Sequence, residues 1–189
     1  MTDTAIISEI KGGNSKGYSM LVKRHKSRLY FFVYGMVRNS MDAEDLTMIA
    51  FQKAFSRLHT WKQDNCKFST WLFSIARNTV LDFIRMKEKK LLGGEDVSRY
   101  IELHDEGYTP EERLFHGENA QLIVSCINRL PKKNRELIYL HIDGYKDEQI
   151  ADIMNITHLA VRTKLCRTRN QLKSLLYEKN NPVINYCIA

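Results

Sequence analysis

The residues with the clearest chemical potential are cations interleaved with hydrogen-bonding and aromatic side chains. In residues 157–173 the sequence sets Thr157, His158, Arg162, Thr163, Lys164, Cys166, Arg167 and Arg169 close together. At 100° per residue, Val161, Leu165, Thr168, Leu172, Leu175 and Leu176 fall within one stripe. Arg162, Cys166, Arg169 and Lys173 line one flank, while Thr163 and Arg167 face fully away. A helix with such an outward face suits a major groove, where Arg reads guanine O6 and N7 and the remaining cations hold phosphates. A second group lies in residues 59–90, where Trp61, Lys67, Phe68 and Trp71 precede a segment carrying Arg77, Asn78 and Arg85 and ending in RMKEKK. Cations that follow phosphates and aromatic faces that stack unpaired bases, at about 1–3 kcal/mol each, are the two parts of a single-stranded nucleic-acid site. Taken singly, each of those aromatics is more simply a core residue, because most aromatics bury area.

Covalent and metal chemistry find little support. There is no P-loop, dinucleotide fingerprint, HExxH or nucleophile elbow. The six His are dispersed, and Cys66, Cys126, Cys166 and Cys187 form no CxxC pair with zinc spacing. No metal, no cofactor and no catalysis of its own are expected, and the cysteines read as reduced thiols of a cytoplasmic protein. Residues 1–17 contain no long apolar core of the kind a signal peptide has. The greasiest early run, residues 29–37, is far shorter than the roughly 20 residues a membrane span needs.

Composition agrees with a folded, helical, polyanion-binding chain. Of 189 residues 43% are hydrophobic and 27% charged, with only three prolines. The net charge of +7 is distributed unevenly. Residues 1–92 carry 16 basic and 8 acidic side chains, residues 93–115 carry 2 and 7, and residues 116–189 carry 11 and 7. The acidic middle opens with Gly93-Gly94 and holds Gly107 and Pro110, so it reads as a linker between two basic helical modules. The expected organisation is a domain over 1–92, a linker over 93–115, a second domain over 116–180 and a tail over 181–189.

The elements that position these residues follow from periodicity and caps. Leu21, Val22, Leu29, Phe32, Val33, Met36 and Val37 recur at helical spacing over residues 18–37. Asn39 or Ser40 is placed to cap a second helix through Leu58, whose first turn holds Asp42, Glu44 and Asp45. On residue physics alone that acidic start is capping chemistry. A third helix is expected from Ser69 or Thr70 to about Lys90, with Phe68 and Phe73 forming a hydrophobic staple. Beyond the linker, a helix over about 110–129 precedes one over 132–143 that starts at Pro131 and stops at Gly144. Residues 147–154 form a short helix, Asn155 takes the left-handed turn position, and Thr157 caps the long cationic helix. Small residue, turn residue, cap and basic face in that order describe a helix-turn-helix.

The chain then resembles a known family. Asp42-Ala43-Glu44-Asp45-Leu46, Phe51, Ala54-Phe55 and KFSTWLFSIARNTVLDFIR over 67–85 are similar to region 2 of extracytoplasmic-function (group IV) sigma factors. Leu130-Pro131, Arg135-Glu136-Leu137, Gly144, IADIM over 150–154, VRTKL over 161–165, Arg167-Thr168-Arg169 and Leu172 are similar to their region 4. The resemblance implies an all-α protein of two small helical domains, σ2-like and σ4-like, joined by a flexible acidic linker. It implies that the protein binds core RNA polymerase at the β′ clamp and β flap, recognises promoter DNA and promotes its melting. It also implies control by an anti-sigma factor, with no direct membrane insertion. By that likeness Asp42, Glu44, Asp45, Leu46, Met48 and Ile49 face the clamp. Trp61, Lys67, Phe68, Trp71, Arg77, Asn78 and Arg85 hold the minus-ten element, with Asn78 near the pocket for a flipped base. Thr157, His158, Arg162, Thr163, Lys164, Cys166, Arg167 and Arg169 serve the minus-thirty-five element. Two departures stand out. Met48 and Ile49 occupy positions where the family has Gln and often Glu, which makes that face greasier. Leu159-Ala160 replace a frequent Gly-Thr, which bears on the start of the recognition helix. The net −5 of the linker suits a basic nucleic-acid channel or, equally, a solvated spacer. The rival function is an ordinary helix-turn-helix repressor or activator, which would bind duplex DNA without polymerase.

Overall fold

The computed structural model of the chain describes residues 1–92 and 118–177. Every regular element among them is helical. The linker expected over 93–115 and the tail over 181–189 lie outside the described residues. The chain divides into two compact units, one centred on the first four helices and the other on the last four.

The first unit consists of α1 (Asp3–Lys11), α2 (Lys16–Val37), α3 (Ser40–Ser56), a 3-10 turn (Leu58–Thr60) and α4 (Phe68–Leu92). Its core contains Leu21, Leu29, Phe32 and Val33 from α2, Ala50, Phe51 and Ala54 from α3, and Leu72, Phe73, Ala76 and Val80 from α4. Phe32 and Phe73 meet at 5.3 Å between ring centres. The α2–α3 corner is made by local chemistry. Arg38 takes the left-handed conformation (φ 56°), and its N–H closes α2 on Tyr34 O at 2.8 Å. The Asn39 side chain then accepts from the Asp42 N–H at 2.9 Å, capping α3 as expected.

Helix α1 is an addition to the elements read from the sequence. Thr2 caps it, accepting from the Ala5 N–H at 3.3 Å, and Ile6, Ile7 and Ile10 are buried. Its partner face on α2 needs Gly17, where a Cβ would sit 2.5 Å from Ile10 Cγ1 and 3.2 Å from Ile6 Cγ2. Asp3 adds an ion pair with Arg24 at 2.7 Å and a contact to His25 Nε2 at 2.9 Å. Helix α4 begins at Phe68, one residue before the expected cap, because the Lys67 carbonyl already accepts from the Trp71 N–H at 3.1 Å. Phe68 is therefore inside the first turn, and no outer residue of a staple.

The second unit contains α5 (Glu118–Asn128), α6 (Lys132–Ile142), α7 (Asp147–Met154) and α8 (His158–Tyr177). The part of the α5 segment expected before Glu118 lies outside the described residues. Buried Arg135 donates through Nη1 to the carbonyls of Asn128 (3.2 Å) and Leu130 (3.1 Å). It thereby satisfies acceptors that the end of α5 would leave orphaned, which gives the Arg at this position a structural reason. Gly144, at φ +81°, turns the chain after α6, and the Tyr145 N–H returns to Leu140 O at 3.1 Å. Asn155 at φ 52° makes the tight turn between α7 and α8. Thr157 Oγ1 accepts from the Ala160 N–H at 3.2 Å, the expected cap. Val161, Leu165, Thr168, Leu172 and Leu176 form the buried stripe of α8, as the periodicity requires, while Leu175, expected with them, is only half-buried.

Candidate nucleic-acid interface

Burial of that stripe fixes what α8 presents outward. Arg162, Thr163, Cys166 and Arg167 are exposed, as are Thr157 and His158 at the helix start. Lys164 and Arg169 are half-buried. Thr163 Oγ1 returns to Leu159 O at 2.9 Å, which holds the hydroxyl on the helix while it still presents a lone pair. Leu159 is a large exposed apolar residue at the helix start. The helix thus offers cations and a hydroxyl on one continuous face, backed by an apolar seam, with the dimensions that enter a major groove.

The flank of α8 has structure that residue spacing did not reveal. Arg169 Nη2 lies 2.7 Å from His141 Nε2, across 28 residues of sequence. Asp147 Oδ2 is 3.9 Å from His158 Nε2. Burial, and next the Arg169 charge, push the His141 imidazole below its ordinary value, with Asp147 pulling the other way. His141 and Asp147 belong to this surface, and only the tertiary approach of α6 and α7 to α8 could have shown it.

In the first unit the aromatic loop is closed on itself. Trp61 and Phe68 are 5% and 2% exposed, with their rings edge-to-face at 6.0 Å. Trp61 Nε1 donates to Cys66 O at 3.2 Å, and Trp71, half-buried, lies 6.0 Å from Phe68. Neither Trp61 nor Phe68 has an open face for a base in this structure. They brace the 61–68 loop, so the residues of the group left at the surface are Lys67, Asn78 and Arg85, with Arg77 half-buried. Arg85 is near Asp82 at 3.6 Å, an exposed pair of small energetic weight.

On α3, Glu44, Asp45, Met48 and Ile49 are exposed, and Met41 beside them is the most exposed large apolar residue described. Leu46 is buried and contributes to the core. Asp42 does more than favour the helix dipole: its Oδ2 meets Lys87 Nζ at 2.8 Å, tying the start of α3 to α4. Lys87 also sits 4.6 Å over the Phe83 ring. No cluster of His, Cys, Asp and Glu among the described residues could hold a metal ion, and no described helix is long and apolar enough to cross a membrane.

Known proteins place these two units in one family. Residues 21–90 match Sigma-70 region 2, and residues 120–172 match Sigma-70, region 4. The chain is 32% identical over 177 residues to the ECF RNA polymerase sigma factor SigW of Bacillus subtilis (strain 168), covering 90% of this chain and 94% of that one. It is 27% identical over 179 residues to the ECF RNA polymerase sigma-E factor of Escherichia coli (strain K12), covering 91% and 93%. Among solved structures, the fold matches the sigma factor RpoE of Bartonella quintana, crystallised with the anti-sigma factor NepR. That match has a TM-score of 0.73 at 21% identity and covers 86% of this chain and 98% of that one. CnrH in complex with the cytosolic domain of CnrY matches with a TM-score of 0.68 at 22% identity, covering 94% and 99%. With both regions present in order along one chain, and a relative matched over almost its full length, the protein belongs to the ECF sigma factors of RNA polymerase.

Proposed function

We propose that this protein binds core RNA polymerase, carries it to promoter DNA and promotes melting there, so that transcription starts at the promoters it selects. The observation that carries this is the presence on one chain of a region 2 unit and a region 4 unit, the second with an exposed cationic recognition helix. A repressor would need only the second. Exposed Glu44, Asp45, Met48 and Ile49 of α3 form the face for the β′ clamp, with Asp42 and Leu46 holding that face in place. Lys67, Arg77, Asn78 and Arg85 meet the minus-ten strand, and the braced aromatics Trp61, Phe68 and Trp71 shape the loop that receives it. Unstacking a base costs a few kcal/mol, so a site that holds only the extruded base couples recognition to melting. Thr157, His158, Arg162, Thr163, Lys164, Cys166, Arg167 and Arg169 face the minus-thirty-five duplex, and the β flap positions that unit. An anti-sigma protein is a partner of the kind seen with one structural neighbour, RpoE with NepR. The protein supplies binding and opening, while the polymerase supplies the phosphoryl-transfer chemistry.

The test is run-off transcription from duplexes that wild-type holoenzyme enriches out of random-sequence DNA. Core enzyme plus this protein should give discrete transcripts, and the protein alone should bind the same duplexes poorly. Tight binding by the protein alone, with no transcript when core is added, would establish the repressor reading instead.

A further inference from the structure

The flank of α8, together with the end of α6 and the start of α7, forms a cleft of about 340 Å³. Its lining includes His141 from α6, Asp147 from α7, and Arg162, Arg169, Asn170 and Lys173 from α8. Leu165, buried in the seam, gives it an apolar side. Three cations thus face one carboxylate, and that carboxylate has His158 Nε2 at 3.9 Å. The net charge selects an anion.

Within the cleft, Arg169 has a fixed position. A guanidinium can only donate, so the 2.7 Å contact requires a lone pair on His141 Nε2, and the imidazole must be the neutral Nδ1–H form. One corner of the five-donor fork is committed to His141, which leaves donors of a planar group suited to a phosphate's oxygens. The helical direction of Arg169 separates it from Thr163 and Arg167, the residues that point straight away from the seam. A side chain on that flank meets the wall of a groove when the outward face meets its floor. Phosphate contacts of that type set register and orientation and carry no base information.

Resting on the sigma-factor reading above, we infer that His141 is a positioning residue: it holds Arg169 so that the free side of the guanidinium receives one backbone phosphate of the promoter duplex in this cleft. His141 does not itself touch the DNA, and its effect passes through Arg169.

The test uses holoenzyme made from core polymerase and the full chain, with duplexes enriched by the wild type from random-sequence DNA. Affinity is measured against salt for the wild type, His141→Leu, Arg169→Ala, the double variant and His141→Gln. Arg169→Ala should weaken binding roughly tenfold, the scale of one charged hydrogen-bonded contact. It should also flatten the salt slope by about 0.9, one phosphate's counterions. His141→Leu should reproduce most of both effects, and His141→Gln, which keeps an acceptor, should recover much of the loss. On the Arg169→Ala background, His141→Leu should cost nothing further. Wild-type behaviour of His141→Leu overturns the assignment, and so does a further loss in the double variant, whether from misfolding or from an independent contact. A wild-type holoenzyme that enriches no duplex overturns the parent reading, and this one with it.

Discussion

Single residues here are held in states that water would not give them, and His25 is the clearest case. It is 4% exposed on α2, its Nε2 meets Asp3 at 2.9 Å, and its ring lies 5.6 Å from Phe68. Its Nδ1 is buried with no hydrogen-bond partner among the described residues. A second ring proton would therefore enter a dry site facing no acceptor. Burial accordingly pushes the imidazole below its ordinary value near 6.5; Asp3 opposes this, while Arg24 and Arg28 reinforce it. The sign for stability follows. Below about pH 6.5 the unfolded chain binds the proton and the folded chain does not, so stability is complete above that pH and declines as pH falls toward the lowered folded value. Thermal melts of the wild type between pH 7.5 and 5 should show Tm falling, and His25→Gln should flatten that fall while starting from a lower Tm. Equal pH slopes for the two proteins would show that His25 is not the group responsible. Because Phe68 also braces Trp61, protonation of His25 should be felt in the 61–68 loop, where Trp61 fluorescence reports it.

At the scale of elements, the exposed face of α3 is more apolar than the family resemblance leads one to expect. Met48 and Ile49 are 40% and 38% exposed, and Met41 stands beside them. A patch of this kind on a helix whose other face is fully packed is suited to a protein surface. Met48→Gln with Ile49→Glu restores the usual residue types without touching the core. Melting should then move by less than the 1–2 °C that half-exposed positions allow, being worth only a few tenths of a kcal/mol. Affinity for core polymerase, read by competition against the wild type, should drop about tenfold if apolar contact has replaced polar contact in this protein. An unchanged affinity would place these side chains outside the clamp interface. Elements were legible in the sequence to the extent that their ends are local chemistry. Asn39, Gly144, Asn155 and Thr157 each act within a few residues of themselves, and each stands where its cap or turn requires. Helix α1 was not legible, because its three Ile span a single short stretch before Gly12-Gly13 and the helix gains its stability from α2. The contacts of Asp42 with Lys87, and of His141 with Arg169, join residues 45 and 28 positions apart, beyond the reach of any periodicity. Burial of Trp61 and Phe68 was the plainer expectation for aromatics, whereas a motif describes which residues matter and not which way they face.

For the whole molecule, two cationic units on one chain raise the question of how their binding energies combine. Non-template strand capture and duplex reading are different chemistries. Under the function proposed above, exposed Asn78 serves the first and exposed Arg167 the second. Arg167→Ala should weaken selection of the upstream element by about 1–3 kcal/mol if it makes a bidentate base contact, leaving the opening rate of already bound complexes unchanged. Asn78→Ala should slow open-complex formation, read by permanganate reactivity of unpaired thymines, with core affinity unchanged. Energies of residues that share no partner add to within about 0.5 kcal/mol, so the double variant in holoenzyme should show the product of the two single effects. A smaller combined loss would mean that upstream reading is itself spent on strand opening, making the polymerase-bound protein one cooperative device. Equal losses of core binding and opening in Asn78→Ala alone would instead point to damage to the first unit. Additivity with separate kinetic signatures is the outcome expected of a protein whose two units each carry their own core and, under the proposed function, act together only through the polymerase.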